Sequence, residues 1–163
     1  MDVLMLAVKV RAADEWDMEG LLKIEQDCFG AEKFNAETVR AFVVRDDAFV
    51  LLATDKDEVV GSAMCMISDL GREGKIASIA VLKGYRGTGV GSLLLDECER
   101  VFQSHGLTKY SLEVDVMNKP AISLYVSRGY DIKASIQDFY GAGRPAYIME
   151  KNIGFKGDTV RSA

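Results

Sequence analysis

The sequence predicts an α/β (α+β) fold in one domain, and three observations support this prediction. The length of 163 residues and the hydrophobic content of 48% suit a single globular domain. Apolar runs of strand length alternate along the chain with stretches of helical period. Within residues 75–104, a strand, a glycine-rich turn and a helix follow one another directly. Residues 1–153 are therefore expected to form the domain, and residues 154–163 a frayed tail.

The first part of the chain is predicted to contain three strands and two helices. Asp14 is a candidate N-cap of the first helix, which ends near Gly30, and Asn35 is a candidate N-cap of the shorter second helix. Strands are expected at residues 3–11, 48–54 and 59–67, and a turn at residues 55–58 joins the last two. The strand at 59–67 is apolar at both parities, which indicates that both of its faces are covered.

The central unit changes from a strand pattern to a helix pattern within one glycine-rich turn. A short apolar run at 76–81 precedes the sequence GYRGTGVG, which begins at Gly84. From Val90 onward, apolar residues recur at helical spacing and charged residues take the opposite side. The free N–H groups of a helix's first turn and the positive end of its dipole favour an anion, and glycines let that anion approach the backbone. A phosphate-binding turn is therefore expected.

Three phosphate motifs compete for this turn, beside the alternative of a turn that binds no ligand. The P-loop requires a lysine and then a serine or threonine after its last glycine, but Val90 and Gly91 occupy those places. The dinucleotide fingerprint needs a glycine one position after Gly91, although Glu113 lies about where its ribose-binding acid is expected. This second motif stays open. The third pattern, Arg/Gln-x-x-Gly-x-Gly/Ala at the start of a helix, is met by Arg86, Gly89 and Gly91.

Downstream of this unit, the pattern predicts three more strands and one short helix. The strands are expected at residues 109–116, 130–136 and 146–149. Pro120 suits the first turn of the helix, and Gly129 suits the left-handed residue that ends it. The last two strands enclose the loop DFYGAGRP.

Composition and charge argue against several classes of function. The net charge of −5, with Lys and Arg dispersed through the sequence, argues against nucleic acid as a partner. The three cysteines, at positions 28, 65 and 98, lie far apart in apolar stretches, which predicts buried thiols and neither a disulfide framework nor a zinc site. Residues 3–8 are too short for a signal sequence, and no run of about 20 apolar residues could span a membrane. A cytoplasmic protein without a membrane segment is predicted, and a homodimer is compatible with the sequence.

Two motifs resemble one known family, the GNAT superfamily of acetyltransferases. The third phosphate pattern, at residues 86–91, resembles the acetyl-coenzyme A site of that superfamily. The segment LEVDVMNKPAISLYVSRGY, residues 112–130, resembles the second signature of ribosomal-protein alanine N-acetyltransferases and archaeal N-terminal acetyltransferases. The similarity extends over residues 76–153, because FYGAGRPAYIM also resembles the tyrosine-containing loop and last strand of that group. The resemblance implies a GNAT-like mixed, V-splayed sheet of six or seven strands, flanked by about four helices.

The resemblance also implies roles for individual residues. Glu113 matches the position of the general base, Tyr125 that of the general acid, and Asn118 that of a contact to the cofactor arm. Phe29 lies on a helix that resembles the substrate-binding helix, and Tyr140 resembles a residue that binds the substrate backbone. Backbone groups would bind the pantetheine arm and thioester at the strand end and the pyrophosphate in the turn. The implied cofactor-binding set is Ala80, Val81, Arg86, Gly87, Thr88, Gly89, Val90 and Gly91, and no metal is implied.

The chemistry of acetyl transfer is compatible with these residue types. A neutral amine attacks a thioester, so one group accepts the proton of the amine and another protonates the departing thiolate. A tyrosine, with a reference pKa of about 10, stays protonated at neutral pH and can supply that second proton. A glutamate, with a reference pKa of about 4.3, is a weak base and suits an α-amine better than a lysine. At pH 7 about a tenth of an α-amine is neutral, against about one lysine side chain in 2,500.

The predicted function is an acetyl-coenzyme A-dependent N-acetyltransferase of primary amines, with a protein N-terminal α-amine as the favoured substrate. The alternatives are acetylation of a lysine or a small polyamine, and a coenzyme A-binding sensor or partner subunit without turnover. Without the resemblance, Glu113 would be interpreted as a solvated charge and Tyr125 as a core residue. Gly30 stands where the family usually has proline, and Arg144 and Pro145 stand where it often has an acidic pair. These departures lie where the substrate peptide is expected to enter.

Overall fold

The computed structural model describes residues 7–154, which form seven strands and four α-helices of at least nine residues. In chain order these elements are β1 (Val8–Ala12), α1 (Met18–Phe29), α2 (Ala36–Val44), β2 (Ala48–Asp55), β3 (Glu58–Ser68), β4 (Glu73–Val81), α3 (Val90–Ser104), β5 (Lys109–Asp115), α4 (Lys119–Ser127), β6 (Asp131–Ile136) and β7 (Ala146–Asn152). Part of the predicted first strand, residues 3–6, and most of the predicted tail, residues 155–163, lie outside the described residues. Each predicted helix and strand has a counterpart among these elements.

The strands form one mixed sheet in the order β1-β2-β3-β4-β5-β7-β6, and the predicted α/β (α+β) class is confirmed. The predicted V-shaped splay and the predicted domain boundary stay predictions. Contacts divide the chain into two compact units. The first unit comprises the described residues up to Ile67 together with Ile76–Val101, and the second comprises Ser68–Lys75 and the described residues from Phe102 onward.

In the first unit, a capped 3-10 turn leads into α1 and a glycine ends it. Asp14 caps a short 3-10 turn that leads into α1, because its carboxylate accepts the Trp16 N–H at 2.9 Å. Asp17 completes a capping box by accepting the Asp14 N–H at 2.9 Å. Gly30, with a φ of 54°, ends the helix in a region that disfavours side chains. The predicted end of the first helix at Gly30 is confirmed, whereas α1 begins at Met18 after Asp17, so Asp14 caps the preceding 3-10 turn and not α1 itself.

The antiparallel strands β2 and β3 lie at the centre of the first unit. Residues 60–65 of β3 are buried on both faces, as its apolar pattern predicts. The core cluster consists of Leu21, Val39, Val50, Leu52 and Met64. Gly61 lets α3 approach the sheet closely, because a Cβ there would be 3.0 Å from Leu94 and 3.1 Å from the Ala80 carbonyl oxygen. The start of α3 is therefore held against β3 and the end of β4.

The second unit is built on the antiparallel strands β5, β7 and β6. Glu113 of β5 lies opposite Ile148 of β7 in this register. Phe102 packs against Tyr110 with the ring centroids 5.1 Å apart. Gly74 leaves room for this aromatic pair, since a Cβ there would be 2.5 Å from the Phe102 ring. This packing fixes the position of β5, which carries the predicted base.

Candidate active site

The glycine-rich turn joins β4 to α3 in the first unit. After β4 ends at Val81, a 3-10 turn at Lys83–Tyr85 leads into the glycines. Gly87 and Gly89 have φ values of 75° and 97°, which a residue with a Cβ adopts only with strain. The helix begins at Val90, so it starts within the glycines as the sequence predicts.

The turn leaves an open approach to the first turn of α3. A Cβ added at Gly84 or Gly87 would meet nothing within 4 Å, and no acidic residue occupies the first turn of the helix. The N–H groups at a helix start have no intrahelical partner and carry the positive end of the dipole. The Arg86 N–H, by contrast, donates to the Lys83 carbonyl at 3.3 Å, so one backbone group of the predicted set already has a partner. The rest of the turn fits a pyrophosphate held by backbone groups.

Two side-chain hydrogen bonds fasten the glycine-rich turn. Tyr85 Oη donates to Asp55 Oδ2, at the end of β2, at 2.5 Å. This hydrogen bond, assisted by desolvation, raises the pKa of Tyr85 to about 12. Thr88 Oγ1 donates to the Tyr85 carbonyl, so Tyr85 connects the turn to β2 and also to Thr88. Thr88 therefore has a structural role beside its predicted contact with the cofactor.

The carbonyl oxygen of Val81 accepts hydrogen bonds from two side chains at the end of β4. Arg86 Nε donates to it at 3.0 Å, and Cys28 Sγ lies 3.5 Å away. Burial raises the pKa of the Cys28 thiol, and a hydrogen bond from Arg86 opposes that shift. The Arg86 side chain is thus folded back along the strand end. Because Cys28 contacts Val81, the end of α1 lies beside the strand end that is predicted to bind the thioester. Phe29 follows Cys28 and is 37% exposed.

In the second unit, the predicted base Glu113 forms an ion pair with Lys75 of β4. Lys75 Nζ lies 2.9 Å from Glu113 Oε1, and the two side chains are 37% and 17% exposed. Two residues earlier on each strand, Ser111 Oγ donates to Glu73 Oε2 at 2.6 Å. Residues two apart in a strand face the same side, so the two pairs line one face of these strands. Glu113 is therefore a paired, partly buried carboxylate.

Tyr125 lies on α4, and its side chain is almost completely buried. The residue is 8% exposed, and its ring centroid lies 5.9 Å from that of Tyr130 at an interplanar angle of 59°. Asn118 is the N-cap of α4, because its Oδ1 accepts the Ala121 N–H at 3.3 Å. The side-chain NH₂ of an asparagine cap keeps its two donor hydrogens, so contact with a cofactor arm is compatible with this position. Tyr125 has the packing that a core residue requires, and a catalytic role would depend on its hydroxyl group alone.

Tyr140 lies in the loop between β6 and β7, where Arg144 contacts its ring. The Arg144 guanidinium lies 5.5 Å from the centroid of the Tyr140 ring and 3.0 Å from Asp115 Oδ2 at the end of β5. The Met117 backbone N–H and Arg144 keep the pKa of Asp115 below its usual value. Arg144, which departs from the family pattern, thereby connects the predicted substrate-binding tyrosine to β5.

Each unit brings part of the predicted site together. In the first unit, the end of β4, the glycine-rich turn and the end of α1 meet at Val81. In the second unit, the Asn118 N–H donates to the Asp115 carbonyl at 2.9 Å, and Arg144 joins Tyr140 to the same aspartate. The sequence analysis missed Lys75 as the partner of Glu113. The polar residues Glu73 and Lys75 indicate a polar face at the start of β4, but they do not identify Glu113 as the partner.

Glu25 is a buried carboxylic acid on α1 to which the sequence analysis assigned no function. It is 1% exposed, and its Oε1 accepts the Phe34 N–H at 2.8 Å. Its Oε2 is buried without a hydrogen-bond partner in the described part of the chain. Burial raises the pKa of this carboxyl group. Glu25 connects α1 to the segment that follows Gly30.

Comparison with known proteins identifies the family. Residues 12–130 match the acetyltransferase (GNAT) family over more than half of the chain. The chain belongs to the GNAT family. The resemblance stated from the sequence is confirmed, and so is acetyl-coenzyme A as the acyl donor of this acyltransferase.

Two relatives and one solved structure show how far the similarity to other GNAT proteins extends. N-alpha-acetyltransferase MAK3 of Arabidopsis thaliana is 30% identical over 122 residues, which is 74% of this chain and 64% of the length of that relative. N-alpha-acetyltransferase 30 of Schizosaccharomyces pombe is 30% identical over 128 residues, 75% of this chain and 85% of the relative. The crystal structure of the ribosomal-protein-S18-alanine N-acetyltransferase from Escherichia coli superposes on this structure with a TM-score of 0.83 at 22% identity. The superposition covers 93% of this chain and 97% of the Escherichia coli chain. This likeness confirms the GNAT fold.

The described residues contain neither a cluster of metal ligands nor a membrane-spanning helix. Residues 7–154 contain no group of three or more His, Cys, Asp or Glu that could hold a metal ion. Over the same residues, no helix is long and apolar enough to cross a bilayer.

Proposed function

We propose that this protein transfers the acetyl group of acetyl-coenzyme A to the α-amine of a protein N-terminus. The observation that carries this proposal is the 30% identity to two proteins named N-alpha-acetyltransferase, over 74% and 75% of the chain. The partly buried carboxylate of Glu113 and the buried ring of Tyr125 support it, because the reaction needs one proton acceptor and one proton donor. A cytoplasmic location and a homodimer stay predictions.

The proposed reaction requires two proton transfers by residues of the second unit. When bound, acetyl-coenzyme A supplies the thioester carbon that the amine attacks, so that an N–C bond forms while the C–S bond breaks. Glu113 accepts the proton that leaves the amine, directly or through a water molecule. Tyr125 Oη donates a proton to the sulfur. The packing of Tyr125 against Tyr130 supports this role, because it restricts the ring that carries the hydroxyl group.

The remaining predicted residues bind and orient in this proposal. Backbone N–H groups of residues 87–91 hold the pyrophosphate at the start of α3, where the helix dipole favours an anion. Backbone groups of Ala80 and Val81 hold the thioester end of the cofactor, and Asn118 contacts its arm. Phe29 and Tyr140 contact the substrate peptide. The exposed edge of Phe29 and the fixed position of Tyr140 beside Arg144 are compatible with this assignment.

The α-amine is favoured over a lysine amine because of the base that the chain provides. A carboxylate is a weak base, and an α-amine with a pKa of about 7.8 gives up its proton far more readily than a lysine with a pKa of about 10.4. No stronger base than a carboxylate is required for a substrate that is already partly neutral. A lysine or polyamine substrate would place a larger demand on Glu113.

A matched set of peptides tests the proposed substrate. One peptide has a free α-amine and no lysine, and a second has a blocked N-terminus and one lysine; a small polyamine is the third acceptor. We expect acetylation, measured by mass spectrometry, of the first acceptor alone. Reaction of the blocked peptide or of the polyamine would overturn the N-terminal proposal. Cofactor binding without transfer to any acceptor would favour a sensor or partner subunit without turnover.

The substitution Glu113→Gln tests the proposed base, because glutamine keeps the volume but cannot accept a proton at neutral pH. We expect kcat at pH 6 to fall about 10²-fold on a peptide with a free α-amine. The defect should shrink as the pH rises, since about 94% of an amine with a pKa of about 7.8 is neutral at pH 9. The pH profile of kcat for both enzymes measures this recovery. A defect that stays constant from pH 6 to pH 9 would show that Glu113 positions the substrate and that the base lies elsewhere.

A further inference from the structure

Lys75 contacts the proposed base, and the mechanism stated so far gives it no role. Its Nζ lies 2.9 Å from Glu113 Oε1, which is short enough for a charge-assisted hydrogen bond. The neighbouring pair on the same face, Ser111 with Glu73 at 2.6 Å, joins the same two strands. The Lys75–Glu113 and Ser111–Glu73 contacts therefore form a polar row on one face of these two strands.

The ion pair restricts the carboxylate of Glu113. An unpaired glutamate on a strand has three rotatable side-chain bonds and samples several staggered rotamers. Pairing through Oε1 favours the rotamer seen here and leaves Oε2 outside the ion pair. A general base acts only within hydrogen-bond reach of the proton that it removes, and misplacement of a reacting group by about 1 Å can slow a reaction strongly. Holding one oxygen of the carboxylate therefore restricts the directions in which the other oxygen can accept a proton.

We propose that Lys75 is a positioning residue of the acetyl transfer: its ammonium group holds Oε1 of Glu113 and so aims Oε2 at the proton of the substrate amine. This inference rests on the proposed function, in which Glu113 accepts that proton. In that step the proton passes from the amine nitrogen to Oε2 while the N–C bond forms and the thioester C–S bond breaks. Lys75 keeps its own protons throughout, so its contribution is geometric and electrostatic.

A purely structural ion pair is the competing explanation, and Lys109 provides a matched control for it. The Lys109 side chain is also 37% exposed, and its Nζ lies 3.3 Å from Glu150 Oε2. It lies on β5, four residues before Glu113, and pairs with other carboxylates. Ion pairs as exposed as these contribute little to stability. If both ion pairs are only structural, replacing Lys75 and replacing Lys109 should have equally small effects on kcat.

Three single substitutions compare the two lysines. Lys75→Met removes the charge and keeps most of the apolar stem, and we expect kcat to fall about tenfold with the peptide KM changed less than about twofold. Lys75→Arg should restore most of the rate because it keeps a cation within reach of Oε1. Lys109→Met should retain the wild-type kcat. Both methionine variants should keep a melting temperature within about 2 °C of the wild type. Equal kcat values for Lys75→Met and the wild type would overturn the inference.

A double-mutant cycle separates this inference from the proposed function. If Lys75 acts through Glu113, Lys75→Met should cause no further loss of kcat in a Glu113→Gln background. The same loss in both backgrounds would mean that Lys75 acts independently, and the inference would be wrong. If Glu113→Gln alone kept the wild-type kcat at pH 6, the proposed role of Glu113 itself would fail. The two failures therefore give different results.

A spectroscopic measurement tests the ion pair without any catalysis. Protein labelled with ¹³C at the glutamate carboxyl carbon gives one signal that disappears in Glu113→Gln and is thereby assigned. Lys75→Met should move this signal, and Lys109→Met should leave it in place. An unmoved signal in Lys75→Met would show that the pair does not exist in solution and would overturn the inference.

Discussion

The two units of this protein differ in the kind of group that each would offer to a ligand. In the first unit, the glycine-rich turn offers backbone groups: Gly87 and Gly89 have positive φ, the space beside Gly84 and Gly87 is open, and α3 starts directly afterwards. In the second unit, side chains are proposed to carry the chemistry, with Glu113 paired to Lys75 and Tyr125 packed on Tyr130. A binding site made of backbone groups tolerates most substitutions of side chains, but it does not tolerate a side chain added at one of its glycines. A site made of side chains can lose its activity when a single side-chain atom is removed.

The largest effect is expected from removing one oxygen atom in the second unit. Tyr125→Phe preserves the ring that packs on Tyr130 and removes only the proposed proton donor. We expect kcat to fall about 10²–10⁴-fold, the range of a general acid, with little change in the affinity for acetyl-coenzyme A. Steady-state kinetics measure the first quantity and calorimetric titration the second.

Tyr130→Phe is the control for this substitution, because it removes an oxygen from the other ring of the same buried pair. Its kcat should stay close to that of the wild type even if its stability falls. If Tyr125→Phe turned over at the wild-type rate, Tyr125 would be a packing residue. The second unit would then lack the side chain with the largest expected effect on catalysis.

An intermediate effect is expected from adding one carbon atom to the first unit. Acetyl-coenzyme A should raise the melting temperature of the wild type, because a ligand of the native state stabilises it by mass action. Gly89→Ala should remove most of this shift, since the added Cβ lies where the phosphate approaches the backbone and the φ of 97° disfavours alanine. Thermal denaturation with and without the cofactor measures the difference.

Gly106→Ala separates the loss of binding from the cost of strain. Gly106 follows α3 and has a φ of 71° with open space around its Cα, so it carries the same backbone cost of roughly 1–2 kcal/mol outside the turn. This variant should melt at a lower temperature than the wild type but keep the full cofactor shift. An unaltered shift in Gly89→Ala would place the phosphate elsewhere.

The smallest effect concerns the side chain on which the backbone site depends. Hydrogen bonding to Asp55 raises the pKa of Tyr85 from 10.0 to about 12. A raised pKa means that the folded protein holds this proton more tightly than the unfolded chain, so the stabilisation is present below pH 10 and is lost as the pH rises toward 12. Tyr85→Phe should lower the urea midpoint slightly at pH 8. Between pH 10 and about 12, its stability should fall less than that of the wild type, because the variant has no Tyr85 hydroxyl group to ionise. An equal pH dependence in both proteins would show that the hydrogen bond does not stabilise the turn.

The sequence predicted local features well because their causes are local. Asn35 caps α2 as expected, Asp14 caps the 3-10 turn before α1, and α3 starts within the glycines, since capping and backbone freedom depend on neighbouring residues. The pairing of Lys75 with Glu113 could not be predicted, because it depends on the register of strands that are far apart in the chain. The contacts of Arg144 with Tyr140 and Asp115 could not be predicted for the same reason, because they form only when the loop that carries Arg144 lies beside the end of β5.

The family resemblance, and not local pattern, supplied the proposed roles of the second unit. Tyr125 has the burial of an ordinary core residue, and nothing in its spacing along the helix indicates a proton donor. Glu113 occupies a polar position on a strand, where a solvated charge is the usual interpretation. The α/β class and the glycine-rich turn before α3 could therefore be predicted from physical chemistry, whereas the mixed sheet and the catalytic assignments depended on the family resemblance.

The three thiols of this chain differ in accessibility, and this gives the protein a natural attachment point for a probe. Cys65 and Cys98 are completely buried with their sulfur atoms 3.4 Å apart, while Cys28 is half-buried beside the Val81 carbonyl. Because thiol reactivity follows exposure and thiolate content, a small alkylating reagent at mildly alkaline pH should modify Cys28 alone. A fluorine-19 label introduced there would stand next to the strand end that is proposed to receive the thioester. Occupancy of that position could then be followed by fluorine spectroscopy in the unaltered sequence, without engineering a cysteine.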